Sequence, residues 1–166
     1  MLRLGGTMMG GIRAATYRYL RFDVTAHQSG SYLHVNELQW FVGATDYPTQ
    51  TMTDYTAPSP LVVTYTNDNA SDRAWQLYNN TIGTSGWQLT GGTTAGSVTL
   101  DLGSGNGIAP TSCTVTGPTA GDAARAPKDF TFEGSNTGSF GGEEVTFATV
   151  TGATDWGTTR VRNYPF

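Results

Sequence analysis

Residues 126–139 read APKDFTFEGSNTGS and carry the strongest structural signal in the sequence. Phe130 and Phe132 stand two positions apart, so on a β-strand they share one face, while the polar residues beside them face the other way. Residues 134–138 then supply turn chemistry, because Gly and Asn tolerate positive φ and Ser and Asn bond to nearby backbone. The stretch therefore predicts one amphipathic strand followed by a turn at 134–138.

Other parts of the chain show the same two-residue period. Alternation over residues 16–25 and 96–102 predicts two half-buried strands. Residues 32–42 change phase part-way, which predicts a turn or bulge near Asn36. Shorter strands are predicted at 61–66, 111–116, 143–151 and 158–166, with a linker at 43–60, a brief helical turn at 74–77 and a loop at 117–126.

The composition favours the same class of fold. Charged residues make up 13 % of the 166 residues and Gly numbers 22, a balance that suits short strands and tight turns better than long surface helices. The aromatic content argues against disorder. We predict an all-β protein, with a flexible N-terminal arm at 1–16 and a single β-sandwich domain at 17–166. The Gly- and Met-rich arm is either a flexible leader or a segment that packs on a neighbouring subunit.

Charge and hydropathy exclude several classes of function. The net charge is −4, and Lys128 is the single lysine, so no basic stripe exists and nucleic-acid binding is not expected. No apolar run approaches about 18 residues, so no membrane insertion is expected. Residues 1–12 lack an apolar core of the signal-peptide kind, so no signal peptide is expected. Cys113 lies in a strand-like run and is predicted to be a small buried hydrophobic residue.

The phrase PKDFTFEGSNTG resembles the galactose-binding-like, or discoidin, β-sandwich family, which includes the coagulation-factor C domains. The variant here is most similar to copies in phage tail and other virion proteins. The resemblance implies a jelly-roll-like sandwich of discoidin type. Residues 17–22 and 35–41 resemble a strand pair that closes the domain in most relatives but opens the chain here. This departure implies either a circular permutation or an exchange of the pair between neighbouring chains.

The run AWQLYNNT at residues 74–81 resembles the family's loop that holds a structural Ca²⁺. Carried over residue by residue, the implied metal ligands are Glu37, Asn79, Asn80 and Thr84, with Ser85 as an alternative to Thr84. The aspartate of the family motif is replaced, which leaves Glu37 as the one carboxylate. Because carboxylate count sets Ca²⁺ affinity, this departure puts the metal in doubt. The alternative is an Asn-rich turn with Glu37 bonded to loop amides.

Glycan binding is the second implication of the resemblance, since the family builds sugar sites on loops at one end of the sandwich. A sugar site needs an aromatic platform and a few polar groups. By residue type and loop placement, the candidates are Trp75, Tyr78, Arg125, His34 and Asp122. Trp87 and Trp156 match family positions that act as core anchors.

Catalysis has little support in the sequence. No nucleophile elbow, zinc-protease helix motif or P-loop occurs, and no pair of carboxylates follows from the spacing. We expect a non-enzymatic phage virion structural component of the tail, baseplate or capsid surface, located in the virion and bound to other virion subunits as a homo-oligomer. The alternative is a glycan-binding adhesin module that recognises host surface polysaccharide.

Overall fold

The structure is a computed structural model that describes residues 14–83 and 85–166. Those residues form eleven strands and two short 3₁₀ helices. The 3₁₀ helices span Ala74–Tyr78 and Ala120–Arg125. The strands are β1 (Tyr19–His27), β2 (His34–Val35), β3 (Glu37–Val42), β4 (Thr45–Tyr47), β5 (Val62–Tyr65), β6 (Trp87–Gln88), β7 (Gly96–Asp101), β8 (Ser112–Thr116), β9 (Pro127–Ser135), β10 (Val145–Val150) and β11 (Val161–Pro165).

The strands form antiparallel sheets that pack as a sandwich, which confirms the predicted all-β sandwich. One sheet has the order β10-β9-β1-β7-β5, the second has the order β11-β8-β3-β4, and a small two-stranded sheet joins β2 to β6. The alternating strands bury one face each, as their period requires. No helix among the described residues is long and apolar enough to cross a membrane.

Aromatic side chains from both large sheets meet in the core. Phe132 of β9 stacks on Phe22 of β1, with ring centroids 5.4 Å apart. Trp40 of β3 approaches Phe132 edge-on at 5.7 Å, which joins the two sheets. Trp87 and Trp156 are fully buried, as predicted for core anchors. Cys113 is also fully buried, and burial raises the pKa of its thiol.

Several strand predictions are confirmed and three details are corrected. The break at Asn36 separates β2 from β3, as the change of phase predicts. The turn predicted at 134–138 begins too early, because β9 continues through Ser135 and Gly134 pairs with both Leu20 and Val145. The predicted linker at 43–60 contains the edge strand β4, and the predicted loop at 117–126 contains the second 3₁₀ helix.

The strand pair that opens the chain occupies central positions in both sheets. β1 lies between β7 and β9, and β3 lies between β4 and β8, all within one chain. Tyr17 and Phe166 both pack on Phe147, with ring centroids 5.1 and 5.3 Å away. The first described strand therefore begins close to where the last one ends. Residues 1–13 of the predicted arm lie outside the described residues.

Candidate functional site

A groove of about 470 Å³ opens beside the start of β1, where the segment after β4 passes the loop that follows β7. Leu61, Leu102 and Ile108 line it with apolar surface, and all three are buried. Tyr47 and Gln50 supply polar groups. The volume falls within the range of about 300–1,000 Å³ that is usual for small-ligand pockets.

The groove takes its shape from backbone that approaches closely. Gly103 has φ +85°, and a Cβ built on it would lie 2.6 Å from Pro60, so only glycine lets these two walls meet. Ile108 exchanges backbone hydrogen bonds with Tyr17, at 2.7 and 3.0 Å, which ties the loop to the start of β1. Asn106 donates its side-chain amide to the Leu102 carbonyl at 3.0 Å. The groove is therefore built on fixed backbone.

Hydrogen-bonding capacity at the groove is left unused. The side chains of Tyr47, Thr49 and Gln50 make no hydrogen bond to any residue in the described part of the chain. The lining residues carry no charge, because they are aromatic, aliphatic, proline, glycine, hydroxyl or amide residues. An apolar floor with free hydroxyl and amide groups at its rim can take a neutral molecule that has one apolar face and several hydroxyls.

The predicted glycan residues lie elsewhere, and only some of them come together. Arg125 pairs with Asp122 at 2.7 Å, and its guanidinium lies 4.3 Å over the Tyr32 ring. This cluster is near the end of β1, because residues of the 120–125 helix bond to the segment after His27. The groove is at the opposite end of that strand. Tyr32 was missed, since nothing in its local sequence marks it as a partner of Arg125.

His34 lies within electrostatic reach of this cluster but is buried, at 5 % exposed. Neither ring nitrogen has a hydrogen-bond partner among the described residues, and burial lowers the pKa of the ring. Trp75 is half-buried against the core. Tyr78 is 2 % exposed and lines a different cavity. The five predicted residues therefore do not form one surface.

That second cavity is small, about 40 Å³, and lies between β3, β4 and the first 3₁₀ helix. Glu37 and Tyr78 line it, and the Glu37 Oε2 and Tyr78 hydroxyl oxygens have no partner among the described residues. Glu37 Oε1 accepts a hydrogen bond from the Asn80 backbone N–H at 3.0 Å. Burial raises the pKa of Glu37 to about 7. The cavity is large enough for a water molecule.

The implied Ca²⁺ ligands around residues 79–85 are mostly engaged by N–H donors. Asn79 Oδ1 accepts from the Thr81 backbone N–H at 2.9 Å, and Asn80 Oδ1 accepts from Gln39 Nε2 at 3.3 Å. Thr84 lies outside the described residues. Among the described members of this set, Glu37 Oε2 is the one side-chain oxygen that is buried and has no hydrogen-bond partner.

A Ca²⁺ ion takes six to eight oxygen ligands, and the oxygens just described do not fit that requirement in this arrangement. Across residues 14–83 and 85–166, no group of three or more His, Cys, Asp or Glu side chains could hold a metal ion. The Gly83 and Ser85 carbonyl oxygens of the loop also accept hydrogen bonds from nitrogen donors. We therefore assign no chemistry of this protein to a bound metal.

Two carboxylates on the strands of the larger sheet, Asp101 and Glu133, have structural partners. Asp101 accepts two hydrogen bonds from Arg18, both at 2.7 Å. Glu133 accepts from Arg21 Nε at 2.6 Å. Neither carboxylate faces the groove, so neither is placed to act on a molecule bound there.

No match emerges when the chain is compared with family models, with curated proteins and with solved structures. Function is therefore inferred from the geometry of the groove and from the motifs of the sequence. Sequence patterns could not have located the groove, because its walls come from three separate segments, residues 47–50, 60–61 and 102–108.

Proposed function

We propose that this protein is a non-enzymatic component of a phage particle surface that binds a host glycan in the groove beside Tyr47. The groove is the observation that carries the proposal. Its size, its apolar floor and its unused hydroxyl and amide groups suit a sugar ring, which has one apolar face and hydroxyls around its edge. The discoidin-like motifs support the same class of ligand.

The chemistry of the lining favours a neutral saccharide. None of the groove residues is basic, so nothing there would pair with the carboxylate of an acidic sugar. The whole chain carries a net charge of −4, which further disfavours a polyanionic polysaccharide. The expected ligand is therefore an uncharged sugar at a chain end or branch of a surface polysaccharide.

The test is binding of the purified protein to a broad glycan array, in Ca²⁺ and again in chelator. We expect saturable binding to neutral glycans that is the same in both conditions. Tyr47→Ala should weaken binding about two- to tenfold, because an aromatic contact contributes about 0.5–1.5 kcal/mol beyond the area it buries. Tyr65→Ala, at an exposed tyrosine outside the groove, is the matched control and should bind normally.

Two results would contradict the proposal. The first is the absence of binding to any glycan. The second is binding that survives Tyr47→Ala and is lost in Arg125→Ala, which would move the site to the Asp122–Arg125 cluster at the other end of β1.

A second candidate is a purely structural virion component that assembles through its N-terminal arm. The charge distribution favours it. Residues 1–13 contain Arg3 and Arg13 and no acidic residue, so the other seven basic residues stand against all thirteen acidic residues in the rest of the chain. A basic, apolar arm complements an acidic surface on a second copy. Under this proposal the partners are other virion subunits, beginning with copies of the same chain.

A further inference from the structure

The loop of residues 79–85 turns two backbone carbonyl groups toward nitrogen-bearing side chains. Asn36 Nδ2 donates to the Gly83 carbonyl at 2.7 Å and to the Ser85 carbonyl at 3.2 Å. Arg160 Nη2 donates to the same Gly83 carbonyl at 3.2 Å. We infer that Asn36 and Arg160 hold this loop by hydrogen bonds in the place where the family resemblance implies a metal ion, so that the loop is fixed without metal.

Asn36 is suited to this role by its position between β2 and β3. It is fully buried, and its backbone N–H donates to the Thr116 carbonyl at 2.8 Å, which anchors it to β8. Its side-chain nitrogen must be the atom that faces the loop, because both neighbours there are carbonyl oxygens and only the NH₂ group can donate to them. A buried amide with two acceptors therefore fixes residues 83 and 85 together.

Arg160 supplies the positive charge. The Gly117 N–H donates to the Arg160 carbonyl at 2.8 Å, and Arg160 Nε donates to the Gly117 carbonyl at 3.2 Å. The side chain is thereby held at the end of β8, with Nη2 directed at the Gly83 carbonyl. A guanidinium is always charged and donates in a fixed fork, so it can attract carbonyl oxygens as a bound cation would.

The same arrangement is unfavourable for a Ca²⁺ ion. An ion bound to the Gly83 carbonyl would have to displace an amide hydrogen bond and lie beside a guanidinium of the same sign of charge. Glu37 cannot offset this alone, because one of its two oxygens already accepts from the Asn80 N–H. The loop lacks the aspartate of the family's metal-binding motif, and the positively charged Arg160 side chain lies against the same loop.

One consequence is a rigid loop with an apolar tip. Ile82 is 62 % exposed, and its neighbour Gly83 is the residue that both Asn36 and Arg160 hold. The fixed carbonyl keeps the tip projecting from the sandwich. The rigidity of the tip then depends on one arginine rather than on the concentration of a metal ion.

The test compares Arg160→Met with Arg73→Met, a matched loss of charge at an exposed arginine that does not contact the loop. Hydrogen exchange of the peptide that spans residues 79–86 and the thermal midpoint are measured in Ca²⁺ and in chelator. We expect Arg160→Met to speed exchange in that peptide at least tenfold and to lower Tm by about 5 °C, with no rescue by Ca²⁺. Arg73→Met should match the wild-type protein in both measurements.

Arg160→Lys guards against a variant that fails to fold, since it keeps the charge and loses the fork; it should give an intermediate exchange rate. Calorimetric titration of the wild-type protein with Ca²⁺ should show no binding. Binding of Ca²⁺, a fall of wild-type Tm in chelator, or unchanged loop exchange in both Arg160 variants would overturn the inference.

Discussion

Glu37 has a buried carboxyl group, and its surroundings disfavour the charged form. It is 2 % exposed, it receives a backbone N–H on one oxygen, and its other oxygen faces a cavity with Tyr78. Burial raises its pKa from 4.5 to about 7, while the backbone hydrogen bond opposes that rise. The folded protein therefore retains a proton on Glu37 over a range of pH where the unfolded chain has released it.

This difference predicts that stability falls as pH rises. The contribution of Glu37 is complete below pH 4.5, declines between 4.5 and about 7, and is lost above about 7. Glu37→Gln imitates the neutral acid at every pH. We therefore expect the variant to match the wild-type free energy of unfolding near about pH 4 and to exceed it by about 2–3 kcal/mol near about pH 8.

Urea unfolding of both proteins across this range measures the effect. His34 has a lowered pKa and contributes with the opposite sign, but it is present in both proteins, so its contribution cancels in the difference. A free-energy difference that stays constant with pH would show that Glu37 titrates normally.

Strands with a clear alternation of apolar and polar residues could be predicted from the sequence. The other strands could not, because their surroundings in the fold produce no such pattern. β1 buries Leu20, Phe22 and Val24 on one face, so its period of two was legible in the sequence. β4 is three residues long, lies at a sheet edge and buries none of them fully, so it carries no hydrophobic pattern. The candidate site was less predictable still, because both the groove and the Arg160 contact join segments distant in sequence.

Gly134 shows why β9 runs on past the predicted start of its turn. The residue is fully paired on both sides, and a Cβ built on it would lie 2.3 Å from Phe147 and 2.6 Å from the Tyr17 ring. Glycine is needed there for space between rings, not for a positive φ. From the local sequence alone, a glycine needed for space cannot be distinguished from a glycine needed for a turn with positive φ.

Gly134→Ala should therefore destabilise the protein by about 2–3 kcal/mol, because the added methyl group overpacks a site between two aromatic rings. Gly91→Ala is the matched control, since nothing lies within 4 Å of its built Cβ, and it should change stability by less than about 0.5 kcal/mol. Chemical denaturation gives both values. Equal stability of the two variants would mean that the rings move apart at little cost.

At the scale of the whole molecule, β1 and β3, the two strands of the opening pair, form all their sheet contacts with other strands of the same chain. β1 and β3 are central strands, and the described chain begins and ends against the same phenylalanine, Phe147. Neighbouring ends of this kind permit a circular permutation without a change of core. Exchange of the pair between chains is not needed to complete either sheet.

The proposed assembly through the N-terminal arm gives a further prediction. Under the proposal that the chain assembles through its arm, deleting residues 1–13 should convert the oligomer to monomer in sedimentation velocity while leaving the circular dichroism spectrum unchanged. Replacing Arg3 and Arg13 by Gln keeps the length of the arm and removes its charge, so it should weaken the oligomer and its dependence on salt. A truncated chain that keeps the same oligomer would exclude the arm as the contact.

The central place of β1 also bears on how the chain is made. Residues 19–27 leave the ribosome well before the two strands that flank them in the sheet, which are residues 96–101 and 127–135. Neither large sheet can close until most of the chain has emerged, and such distant pairings form slowly. The nascent protein therefore keeps β1, which carries Leu20, Phe22 and Val24, without its sheet partners until residues 96–135 have been made, and an apolar strand exposed in this way is a surface that a chaperone can bind.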